Sequence, residues 1–310
     1  MTLLDALNDV AAGTPEQTRS FFHVIGERTI PDTRVNYRVH WLTLDGNGRD
    51  RTAALAQHLY YKIADYCTPP TRIREARVRD EREGGNVQMM MLQEEARRLF
   101  IDSDTSGEGG ELLLYFLLEA ELNLPQVLCK MPLKTNSKMP IHGVDGVHAG
   151  IREGGGLAVY WGESKLYTDV QSAMTECFSS IAPFLLDDGT GPAHRDLVLV
   201  LVREGLDTGD RELSLRLVQY FTDDAPERSK LEVRGACLVG FTHEAHGHPF
   251  EEDEVTMLAN VQERIEAWSK SVGSRVLKRE VEDFEIEFFC MPLPSVANLR
   301  TAFNNLLGHK

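Results

Sequence analysis

Glu111, Asp145, Glu163 and Lys165 fall within one stretch, residues 107–165, and their types suit metal-dependent phosphodiester hydrolysis. Carboxylates supply the hard oxygen ligands that Mg2+ prefers, and an ammonium can face the charge that builds on phosphorus. Glu163-Ser164-Lys165 alone is a weak signal, met by chance in most chains of this size. Asp145, within Gly143-Val144-Asp145-Gly146, is by itself an ordinary turn aspartate. Their order is far more specific: a Glu, then an Asp, then Glu-x-Lys, within one helix and three strands.

The elements that must position these groups are readable nearby. Gly107-Glu108-Gly109-Gly110-Glu111 opens a helix that runs into Leu112-Leu113-Leu114-Tyr115-Phe116-Leu117-Leu118. Glu108 and Glu111 are three apart and share one side of its first turn, where the helix dipole favours carboxylates. Glu108 serves equally as a cap, whereas Glu111, set against the apolar run, is assigned to the site. Residues 141–149 and 157–165 read as two strands joined by Arg152-Glu153-Gly154-Gly155-Gly156. A turn centred near Gly154 sets Asp145 opposite Glu163, with Cβ atoms about 4.5–5.5 Å apart. Glu163 and Lys165 then share a face. Three charges on one sheet face are costly unless a metal or an ion pair compensates them.

The remaining pattern is that of an α/β protein with a mixed sheet flanked by helices. Strands are expected at 35–44, 126–130, 197–202, 232–241 and 284–291. Helices are expected at 52–66, 86–100, 170–186, 213–220, 250–278 and 296–307. Thr68-Pro69-Pro70 stops the first of these helices, and Pro15 suits a first helical position. Residues 72–85, dense in both charges, read as an exposed connection or a short helix. Residues 1–85 form an N-terminal elaboration on a core spanning 86–310.

Composition narrows the function classes. The 310 residues are 42% hydrophobic and 26% charged, which is ordinary for a globular protein with a sizeable core. No apolar run reaches the roughly 20 residues that span a bilayer, and the N-terminus lacks a secretory signal, so a cytoplasmic protein is expected. The five scattered cysteines exclude a disulfide framework or zinc knuckle. A net charge of −15 argues against a general nucleic-acid-binding surface. Asp102-Ser103-Asp104 begins like a calcium loop, but the twelfth position is Leu113. Ser106-Gly107-Glu108-Gly109-Gly110 lacks the Lys-Ser/Thr of a phosphate-cradling loop. His243, His246 and His248 look like zinc ligands but read better as a surface loop.

The arrangement in 107–165 resembles the PD-(D/E)xK nuclease superfamily. More closely, residues 107–167 are similar to the HamA nuclease family of the Hachiman antiphage defence system and its AbpA relatives. Phe288-Phe289-Cys290-Met291-Pro292-Leu293-Pro294-Ser295, followed by Asn298-Leu299-Arg300, resembles that family's C-terminal end. Val144 stands where the superfamily's name has a proline. The resemblance implies a restriction-endonuclease-like fold and a DNase effector that works with a superfamily-2 helicase (HamB/AbpB-like). It further implies Mg2+ or Mn2+ held by Asp145, Glu163 and the Ser164 carbonyl, with Glu111 completing the set and Lys165 orienting water or stabilising charge. Gln171 would contact the attacking water or a phosphate. Lys130, Lys134 and Lys138 would offer a basic edge to the DNA backbone. The alternative is a catalytically silent nuclease-fold subunit that regulates a helicase.

Overall fold

Among the described residues, seven strands form one sheet in the order β1-β2-β7-β6-β5-β4-β3. The computed structural model describes residues 3–308 except 9, 12, 101–106, 129–130, 132–144, 153–154, 188–206, 223, 245 and 247–253. The strands are β1 (Phe22–Thr29), β2 (Val35–Leu42), β3 (Gln126–Leu128), β4 (Gly146–Ile151), β5 (Leu157–Tyr167), β6 (Leu231–Thr242) and β7 (Ile286–Leu293). The four central strands, β2, β7, β6 and β5, run parallel, and antiparallel pairs close both edges. The burial follows from this: every residue of β7 is buried, as a parallel strand covered on both faces requires.

Ten helices lie among the described residues: α1 (Leu3–Asn8), α2 (Pro15–Arg19), α3 (Thr52–Cys67), α4 (Pro70–Glu83), α5 (Val87–Arg97), α6 (Glu108–Leu122), α7 (Val170–Leu185), α8 (Arg211–Gln219), α9 (Glu254–Lys278) and α10 (Val296–Leu307). One sheet face packs against α1, α7, α8 and α9 through Phe178, Ile181, Val261 and Ile265. The other packs against α3, α6 and α10 through Leu55, Leu117, Phe116 and Phe303. The stretch of apolar residues in α6 is buried almost all round because it lies between the sheet and α3. No helix among the described residues is long and apolar enough to cross a membrane.

Two elements differ from the expectation. Residues 22–29, where the sequence gives little, form the edge strand β1; a register shift between Val24 and Gly26 interrupts its alternation. Residues 70–83 form a full helix rather than a connection, docked on α5 through the small cluster Ile73, Ala76 and Leu92. The strand expected at 197–202 lies outside the described residues, as do 102–106 of the loop motifs. β1 and β2 extend the same sheet beyond β7, so residues from both expected units build one layer. Cys67, Cys177, Cys237 and Cys290 are buried free thiols.

Candidate active site

The hairpin of β4 and β5 has the register that brings the acids together. Gly146 pairs with Gly162, and the Asp145 amide donates to the Gly162 carbonyl at 2.8 Å, which holds Asp145 against β5 just before the start of β4. Gly162 makes this close approach possible: a Cβ there would lie 3.2 Å from the Gly146 nitrogen and from Leu114 Cδ2 of α6. Asp145 is then fixed by Ser164, whose backbone N–H and hydroxyl both donate to Oδ2 at 2.7 Å.

Glu163 is 3% exposed. Burial, and then the nearby Asp145 carboxylate, push its pKa from 4.5 up to about 7, although Lys165 and Ser180 pull the other way. Lys165 Nζ pairs with Glu163 Oε1. Burial alone would depress the Lys165 ammonium, but Glu163 outweighs it and holds the group above its ordinary value. The site therefore sets a lysinium beside a glutamate whose proton affinity is raised.

The first turn of α6 approaches the same strand from the opposite sheet face. Gly110 permits this, since a Cβ there would come within 3.1 Å of Ser164 Oγ and Leu166 Cγ. Glu111 accepts a hydrogen bond from the Tyr66 hydroxyl at 3.0 Å, and the same hydroxyl lies 3.5 Å from the Asp145 main-chain oxygen. Burial, followed by Glu111, raises the Tyr66 phenol well above its ordinary value, so it remains a donor. Glu108, 5% exposed, instead lines a crevice with Leu59, Phe100, Leu166, Arg300 and Phe303. Thus Tyr66 links Glu111 to the backbone of Asp145, Ser164 holds the Asp145 carboxylate, and Glu163 pairs with Lys165, while Glu108 lines the crevice.

Gln171 does not join this set. Its side-chain oxygen accepts from Ser271 at 2.8 Å and from Arg275 at 3.1 Å, which ties the start of α7 to α9. Lys130, Lys134, Lys138 and His248 lie outside the described residues. His246 stacks on Trp41 with ring centroids 3.7 Å apart and bonds the Pro292 carbonyl at 3.0 Å. Burial lowers its pKa to about 4, which makes it a neutral packing group rather than part of an exposed loop. His243 packs edge-on to Trp268. Among the described residues, no group of three or more His, Cys, Asp or Glu side chains converges on a common point for a metal.

Sequence reasoning missed Tyr66 and the second role of Ser164. Tyr66 reaches the site from 45 residues before Glu111, and no local motif carries that contact. Ser164 was visible inside Glu-Ser-Lys, but only its carbonyl was considered.

A model of the HamA family matches residues 19–307. No curated protein matches the sequence. The chain belongs to the HamA family, and that membership points to a part in antiphage defence.

Proposed function

We propose that this HamA-family protein is a metal-dependent deoxyribonuclease of the PD-(D/E)xK type, the effector of an antiphage system controlled by a partner superfamily-2 helicase. The observation that carries the reading is the hairpin end at which Ser164 of Glu163-Ser164-Lys165 holds the Asp145 carboxylate, with Glu163 buried beside it. A cation is the natural compensation for two acids so placed.

The donor set suits Mg2+ or Mn2+. Asp145, Glu163 and the Ser164 carbonyl offer only hard oxygens, and Mg2+ is ordinarily held by one or two carboxylates together with substrate phosphate and water. When bound, the ion supplies Lewis-acid polarisation of the phosphate and a water of lowered pKa. The protein's own groups do the rest. Ser164 holds Asp145 in place through two hydrogen bonds. Lys165, kept protonated by Glu163, faces the charge that develops on phosphorus. Glu111 does not converge with these two acids and reaches them from α6 through the Tyr66 hydroxyl.

A second reading, a catalytically silent subunit that regulates a helicase, is favoured by the net charge of −15 and by the missing three-ligand convergence among the described residues. One experiment separates the two. Supercoiled and linear DNA are incubated with Mg2+ or Mn2+, with the protein alone and with the candidate helicase, alongside a Glu163→Ala/Lys165→Ala double variant. The nuclease reading expects metal-stimulated cleavage that the double variant abolishes while its melting profile and helicase binding persist. Undiminished cleavage by that variant overturns the assignment, and cleavage in neither condition favours the silent subunit.

A further inference from the structure

Tyr66 lies in the last turn of α3, 2% exposed, with its ring against Tyr115 at 5.3 Å between centroids. A phenol has one proton to donate. The 3.0 Å contact to Glu111 Oε2 takes it, while the 3.5 Å contact to the Asp145 carbonyl is at the outer limit of a hydrogen bond. Donation to a carboxylate is charge-assisted and about twice as strong as a neutral bond, so it fixes the acceptor's rotamer. A buried tyrosine generally finds some acceptor. This one has found the Glu111 carboxylate of α6 while lying against the backbone of Asp145 at the end of the hairpin.

We infer that Tyr66 is a positioning residue of the candidate metal site, holding Glu111 from α3 so that it stands beside Asp145. The inference rests on the metal-site reading above and extends it. One group of the site then comes from the first 85 residues, so the site is incomplete without the N-terminal part of the chain. Partners that orient the ligands of a metal affect affinity by about 10–100-fold. Phenylalanine at 66 keeps the ring packing and removes only the donor.

The test is calorimetric Mn2+ binding to the full chain as wild type, Tyr66→Phe, Glu111→Gln and the double variant, with thermal melts in parallel. Tyr66→Phe should bind Mn2+ about tenfold more weakly with little change in melting temperature. The double variant should bind no more weakly than Glu111→Gln, because the phenol acts through that carboxylate. Wild-type affinity in Tyr66→Phe, or losses that multiply in the double variant, overturns the inference while leaving the metal site standing. No Mn2+ binding by wild type overturns the metal reading and this inference together. Glu111→Gln approaches the pair from the other side, and wild-type affinity there also overturns the inference, even if Tyr66→Phe fails to fold.

Discussion

Two buried glutamates on the central parallel strands, Glu163 of β5 and Glu287 of β7, stand in opposite electrostatic situations. They are 3% and 6% exposed and project from opposite faces of the sheet. Glu287 is matched: Asn36 donates to Oε1 at 2.9 Å and the Arg38 guanidinium pairs with Oε2. Arg38 in turn bonds Glu27 at 2.9 Å, so the acid belongs to a cross-strand ladder. Glu163 has one lysine and a second carboxylate beside it, and its pKa rises to about 7. Burial alone therefore does not mark a functional acid. A like charge held next to it does, because that arrangement costs stability unless something else binds.

The comparison can be broken most sharply at the acids themselves. Glu163→Gln should reduce metal-dependent DNA cleavage on the order of a thousandfold, about 4 kcal/mol in barrier, whereas Glu287→Gln should leave the rate close to wild type. Equal losses in a nicking assay would erase the distinction. Next in size is the ladder. Arg38→Met strands Glu287 without its cation and should destabilise the fold by about 3 kcal/mol in chemical denaturation, while Mn2+ binding by the folded fraction is retained.

The pH dependence is a further discriminator. The folded-state pKa of Glu163 is raised from 4.5 to about 7, so the stability it contributes is fully present below 4.5 and is lost as pH rises through about 7. Melts of metal-free wild type and Glu163→Gln should therefore diverge over that interval in favour of the variant. Parallel curves would contradict the raised pKa. The smallest effect is expected at Ser164→Ala, which removes one of two donors to Asp145 and should cost about 1 kcal/mol, seen as roughly fivefold weaker Mn2+ binding.

Local signals served the hairpin well, where the pairing residues are close in the chain. The glycine-rich turn determines the hairpin register, and the structure pairs Gly146 with Gly162 as a turn centred near Gly154 requires. Helices α3, α7 and α10 follow their periodicity and stop signals closely. β1 was not legible because a bulged edge strand buries its residues irregularly, with Phe22 inside and His23 and Val24 outside. For α4 the sequence left a connection and a short helix both open, because it docks through only two or three small or apolar residues while its other faces carry charge. The distinction between Glu108 and Glu111 needed tertiary information. Both are in one helix turn, and only the tyrosine arriving from α3 separates them.

The position of β7 has a consequence for how the molecule is made. This strand inserts between β6 and β2, pairing Val35 with Ile286 across 251 residues. The helix that follows it, α10, shares a buried core with α3, the element that carries Tyr66. Pairings so distant in sequence form late, since the loop they close must first be complete. Until residues 286–307 are synthesised, β2 lacks its parallel partner and α3 lacks part of its packing surface. The proposed cutting site would then wait on that segment, so a growing chain would carry its candidate acids without the scaffold that aligns them.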